Sequence, residues 1–567
     1  MTNRLTAALA VAAAGAFGAA LLHAQGRGSA EWTTSSFDAQ RTSWIRTDPR
    51  ISVDTMQKPG AFGPFKFLWK LKLEHDPKAA GALTQPILLD RLIGFRGFKS
   101  IAFVATASET VHAIDTDVGA PLWKYHINYS ASPPPVVGGP AACPGGLTAA
   151  LSRPTAIAPA TAAAGGFGGG RGGRSGGGVG EPGKGAITLA TAGRGRGVGP
   201  GAPDAPTAPA TAAVPGSAAA AAGAVPGGLP GGARAGGPGA GGGGGGFGGG
   251  PFMPGADAAY VVGSDGYLHA LNVSNGWDNM TPALFLPANT RAAGLIIATA
   301  ADGKAVAYTA TTHGCGSQPD AVWAMDLASP EKTVVAFKAS GATIAGGAGP
   351  TLGRDGTVYL ATMDGVSPFS SSLIALQPRT LKLKASATMP KASWNASPLV
   401  LPWKDNDVVV AAGGGTLFLF DAASLGGGPI ATSPAFGNGT YEASALASWQ
   451  DAEGTRWIAA SHARGIATFT LVEQNGKAVF RPGWSSRAIA SPISLLVVNG
   501  VVFTASAGSP TVPAVLYAIE AATGKDLWNS GRAITSSVKG GLSAGQGNVY
   551  VPGADSTLYA FGFAIEK

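Results

Sequence analysis

The chain has 567 residues, a formal net charge of +8 and only 13% charged residues. Much of the basic excess (Arg171, Lys184, Arg194, Arg196) sits in a Gly-rich segment. The remainder is only mildly basic, which gives no case for nucleic acid as a partner. Its two cysteines form no Cys-x-x-Cys, which excludes a covalent c-type haem and a thiol-based zinc or redox site.

In chain order, Arg4 precedes an apolar, Ala-rich run over 5–22, and Leu22-His23-Ala24 offers a small-residue cleavage site before Gln25. Residues 1–24 therefore read as a bacterial signal peptide, and the mature chain is expected in the periplasm or secreted. No second stretch has spanning length. Residues 25–64 form an N-terminal extension whose stretch 31–59 reads as polar and irregular and carries Trp32 and Trp44. Residues 65–73, Phe-Lys-Phe-Leu-Trp-Lys-Leu-Lys-Leu, alternate in polarity and read as a strand with nothing upstream to pair with.

From there one unit recurs: a strand, a Val-rich strand, a Gly or Asp turn, an alternating strand ending in an acidic or amide residue, and a last strand. Its second and third strands fall at 101–104 with 111–115, 259–263 with 267–272, 305–309 with 321–326, and 357–361 with 373–377. They continue at 407–411 with 416–421, 456–460 with 465–471, 501–505 with 515–520, and 548–552 with 557–561. With the Gly-rich segment removed the period is about 42–54 residues, which fits four-stranded propeller blades. The propeller occupies 65–161 and 255–567. Between them, 162–254 is dominated by Gly, Ala and Pro. Such a stretch buries too little apolar surface to offset its ordering entropy and is expected to be disordered.

The last unit lacks its fourth strand, and 65–73 is a spare one. The two ends of the chain are expected to share that blade and close the ring, which removes an exposed sheet edge. Cys143 lies in the loop entering the second blade. Cys315 lies in a loop of the third blade on the same face, so an exported chain favours a Cys143–Cys315 disulfide.

Residues 518–528, Ala-Ile-Glu-Ala-Ala-Thr-Gly-Lys-Asp-Leu-Trp, resemble the repeat of the pyrroloquinoline quinone (PQQ) propeller superfamily, Ala-x-Asp-x-x-Thr-Gly-x-x-x-Trp. Residues 113–123 match it at Asp115, Gly119 and Trp123, with Val118 in the Thr place. Fainter copies are Ala270-Leu271-Asn272 and Ala324-Met325-Asp326. The resemblance implies an all-β, eight-bladed propeller in which each Trp packs on the next blade. The superfamily contains quinoprotein dehydrogenases, which hold PQQ and calcium at the top centre between a Trp and a disulfide of adjacent cysteines. It also contains cofactor-free scaffolds such as the outer-membrane assembly propeller. This chain has no adjacent-cysteine pair, and no motif identifies calcium ligands or a catalytic base.

The register puts the starts of the inner strands at the top centre, where Gln85, Arg153, Arg291, Asn395, Glu442, Arg487 and Lys539 would converge. Arg153, Arg291, Arg487 and Lys539 would suit an anionic ligand, and a tricarboxylate quinone is one. Glu442 and Asn395 offer oxygens of the kind calcium takes. His313 and His462 lie in top loops without a third metal ligand or a nucleophile. Asp115, Asn272, Asp326, Asp421 and Glu520 recur at one blade position and are expected to cap turns. Two functions stay open. One is a binding or assembly scaffold of the cell envelope, with envelope proteins or a small anion as partner. The other is a PQQ-dependent oxidoreductase of alcohols or sugars that passes electrons to a separate cytochrome.

Overall fold

The computed structural model describes residues 31–60, 62–75, 82–94, 97–127, 147–157, 257–300, 302–363, 365–389, 394, 396–436 and 446–564. The expected signal peptide, the insertion 162–254, Cys143, Asn395 and Glu442 lie outside the described residues. One unit comprises Met1–Gly166 and Pro251–Lys567; Phe167–Gly250 is separate from it. No helix among the described residues is long and apolar enough to cross a membrane.

The unit is an eight-bladed β-propeller, with seven of its blades meanders of strands a to d from the axis outward among the described residues. Blade 1 runs Ile87–Gly94, Gly97–Ala105, Thr110–Asp115 and Ala120–His126. Blade 2 has Ala258–Val262, Tyr267–Asn272 and the short Ala283–Leu284. Blades 3 to 7 have inner strands Arg291–Thr299, Thr351–Leu352, Leu399–Trp403, Leu446–Gln450 and Leu496–Val498. Blade 8 takes Ser543–Gly545, Asn548–Pro552 and Thr557–Gly562 from the C-terminal end. Its outer strand, Lys66–Lys72, comes from near the N-terminus and pairs antiparallel with Thr557–Gly562. The ring is closed as the incomplete last repeat requires.

The repeat residues act as blade joints. Trp69 of blade 8 donates its indole N–H to Thr116 O of blade 1 (3.1 Å), Trp123 of blade 1 to Val273 O of blade 2 (3.0 Å), and Trp484 of blade 6 to Ala521 O of blade 7 (2.8 Å). Each ring lies flat on the turn glycine of the receiving blade. A Cβ at Gly119, Gly276 or Gly524 would come within 2.5, 2.5 and 2.7 Å of the indole, and all three glycines have positive φ. Trp528 of blade 7 instead meets Phe561 (5.6 Å) and Phe65 (5.0 Å) edge to face at the closing blade. The expected turn caps are present. The side-chain oxygens of Asp115, Asn272, Asp326 and Asp421 each accept the N–H two residues on, and Glu520 accepts from Thr523 Oγ1.

Blade 2 departs from the expected meander. Ser152 makes a single bridge to Tyr260, and then Pro154–Ala156 leaves the blade to run parallel beside Ile297–Thr299 of blade 3. Pro154 has no N–H to donate to a ladder, and Ser152 Oγ accepts Ile297 N–H (3.1 Å), which draws the segment towards blade 3.

Candidate functional site in the central channel

Each inner strand turns one backbone edge to the axis, and those groups need partners. The N-terminal extension supplies them. Leu88 N–H of blade 1 donates to Trp32 O (2.8 Å), and Arg153 N–H of blade 2 to Thr33 O (2.8 Å). Thr34 Oγ1 donates to Leu295 O of blade 3 (2.5 Å). Leu352 N–H of blade 4 reaches Ala39 O (2.8 Å), Val400 N–H of blade 5 reaches Gln40 O (3.1 Å), and Ser448 N–H of blade 6 reaches Thr42 O (3.0 Å). Val497 N–H of blade 7 reaches Ser43 O (2.8 Å), where Trp44–Ile45 adds a parallel strand. Gly547 N–H in the a–b turn of blade 8 donates to Asp48 Oδ2 (3.0 Å). Residues 32 to 48 thus meet all eight blades in ring order, one circuit of the axis from inside. The extension is irregular, as its sequence suggests, and it is tied to the ring throughout. Ser36, Phe37, Arg41 and Ser43 have positive φ. Winding so tightly strains them, and the ring of bonds holds them there.

Arg41 lies at the heart of this plug. It is 2% exposed. Its Nε donates to Pro350 O (3.1 Å), and its Nη1 donates to Thr34 Oγ1 (3.1 Å) and to Ser35 O (2.5 Å). Burial pushes its guanidinium down to about 9, while Asp38 partly restores it. Burial pushes Asp38 up; against this, both its oxygens accept from Thr42. Gly294 leaves the space for Arg41, since a Cβ there would come within 2.9 Å of Nη2.

The proposed cation funnel is dispersed. Arg153 is buried and its Nη1 is paired with Glu31. Arg291 begins the inner strand of blade 3 and is half-buried. Arg487 is carried to the outer strand of blade 7, where it pairs with Asp526 (3.0 Å) and lies over Tyr517 (5.8 Å). Lys539 is exposed in the loop entering blade 8. Gln85 binds within the plug instead, accepting Ser36 N–H (3.3 Å) and donating to Leu542 O (2.5 Å).

Cys315 is buried in the 3-10 turn Cys315–Ser317. His313 is exposed, and its backbone N–H goes to Asp320 (3.0 Å). His462 Nδ1 accepts Arg464 N–H (3.4 Å) in a tight turn, and burial lowers its pKa. Neither histidine joins a metal-binding group, and no cluster of three or more His, Cys, Asp or Glu suited to a metal occurs among the described residues. A small cleft of about 20 Å³ between blades 8 and 1 is lined by Glu31, Asp90, Ser100, Thr116 and Tyr550. Its carboxylates suit no anion.

A planar tricarboxylate at the axis needs an open slot and converging cations. The described residues give it neither: backbone from the chain itself lies on the axis, Arg153 is paired, and Arg487 is on the rim. They do not fit PQQ.

Sequence reasoning passed over Arg41 and its neighbours. The available signal was the hydroxyl-rich run Thr33-Thr34-Ser35-Ser36 with Thr42-Ser43, short side chains able to satisfy backbone at close quarters.

No family model and no curated protein matches the chain. Solved structures do. Quinohemoprotein alcohol dehydrogenase from Comamonas testosteroni is 14% identical at TM-score 0.51, covering 97% of this chain and 83% of that one. A quinohemoprotein alcohol dehydrogenase from Pseudomonas putida HK5 is 13% identical at TM-score 0.51, covering 95% and 81%. A europium-containing methanol dehydrogenase is 11% identical at TM-score 0.53, covering 96% and 99%. These likenesses establish the PQQ-like propeller fold.

Proposed function

We propose that this chain is an exported binding or assembly scaffold of the cell envelope. The observation that supports the reading is the plug: residues 32 to 48 lie where an axial ligand of such a ring would lie, bonded to every blade. A propeller filled at its centre offers its end loops and outer strands for binding, and envelope proteins are the proposed partners. Export and a Cys143–Cys315 disulfide belong to the same proposal. N-terminal sequencing of the mature chain is expected to begin at Gln25, and non-reducing peptide mapping to recover the two cysteines in one linked peptide.

The decisive experiment adds PQQ and calcium to the purified protein, then follows thermal unfolding and dye-linked oxidation of alcohols and sugars. No shift and no turnover are expected. A stabilising shift with turnover would replace the scaffold by a quinoprotein dehydrogenase with a separate cytochrome as electron acceptor.

A further inference from the structure

Where the plug leaves the channel it carries a second, different cationic cluster. Trp44 lies parallel to the inner strand of blade 7, and two guanidiniums crowd its indole: Arg46 at 4.8 Å and Arg456 at 5.6 Å from the ring centroid. Arg456 opens the second strand of blade 6, at the end of the ring opposite the expected funnel. It is 6% exposed, makes no ion pair among the described residues, and its buried Nε has no hydrogen-bond partner.

Arg456 is the buried cation of the cluster. Burial pushes Arg456 down to about 10, and the like charge of Arg46 pushes the same way. Asp38 feels both Arg41 and Arg46, and Thr42 already occupies its oxygens. A buried guanidinium with an open donor is costly unless an anion meets it. The cation–π contacts with Trp44 offset only part of that cost, about 0.5–2 kcal/mol each. Arg46 is exposed, so the cluster borders solvent and a small ion can reach it.

We propose that Arg456, with Arg46 and the face of Trp44, forms an oxyanion-binding site at this mouth of the channel, suited to a carboxylate or a phosphate. The guanidinium fork matches the two oxygens of either group. The site does not depend on the scaffold reading and shares no residue with the dispersed funnel.

The test is thermal unfolding of the full chain at constant ionic strength in chloride, inorganic phosphate or succinate, with isothermal titration of each anion. The wild-type chain is expected to bind phosphate or succinate saturably and to unfold at a higher temperature in that anion than in chloride. A response to phosphate alone, to succinate alone or to both supports the site and names its ligand chemistry. Arg456→Met is expected to unfold above wild type in chloride, because an unmet buried charge is gone, and to lose the anion response. Arg46→Gln, at an exposed position, is expected to bind about tenfold more weakly, a ~1.4 kcal/mol loss. No saturable binding by wild type overturns the proposal. So does an undiminished anion response in Arg456→Met, or in Arg46→Gln if the first variant does not fold.

Discussion

At the scale of single residues, the blade joints concentrate stability in a few contacts. Gly524 combines φ +76° with an indole that a Cβ there would approach to 2.7 Å, so a side chain meets both a backbone and a packing barrier. Gly524→Ala is expected to cost about 2–4 kcal/mol, read by urea denaturation. The indole would be pushed off the turn, and the Trp484 bond to Ala521 O would go with it. His112 makes a prediction in pH. It is 3% exposed with an unpartnered Nε2, and burial lowers its pKa below the ordinary value. The unfolded chain therefore binds the proton first. The stability involved is fully present above pH ~6.5 and is lost as pH falls from there through the depressed folded value. His112→Gln is expected to flatten that acid limb in denaturation curves taken between about pH 7 and 5.

At the scale of elements, the plug is the informative segment. About ten hydrogen bonds tie it to the inner strands, each contributing roughly 0.5–1.5 kcal/mol net. Deleting residues 31–51 is expected to lower stability by at least about 5 kcal/mol and to abolish a single cooperative transition in calorimetry. Hydrogen exchange should show Leu88, Leu352, Val400, Ser448 and Val497 amides protected in the intact chain, since each has a plug carbonyl as acceptor. The closing strand Lys66–Lys72 was legible because alternation and a Leu-Trp pair mark it. The plug was not: its regularity lies in which blade each residue meets, and no local periodicity records that. Its helix-forming tail, α1 (Val53–Gln57), is only one turn and a half and carries a Ser52–Thr55 capping box.

At the scale of the whole molecule, closure governs cooperativity. Blade 8 is built from both ends of the chain, so the ring is not closed until the last strands arrive. Removing the residues after Gly553 would take away Thr557–Gly562 and leave Lys66–Lys72 unpaired. That truncation is expected to be insoluble, as seen in fractionated extracts. Replacing Phe167–Gly250 with a ten-residue linker should leave the circular dichroism spectrum unchanged. It should raise stability by no more than about 2 kcal/mol, since closure entropy grows only with the logarithm of loop length.

The order of blades, the closing strand and the turn caps were fixed locally. Strand alternation, Gly turns and a Trp at a set distance are properties of neighbouring residues, and the sequence by itself determined them. The filling of the axis, the pairing of Arg153 with Glu31, the removal of Arg487 to the rim and the crowding of Arg46 and Arg456 on Trp44 were decided by tertiary structure. Each joins residues up to several hundred positions apart. Where a side chain near a strand end points depends on a register and a neighbouring segment that no local pattern encodes.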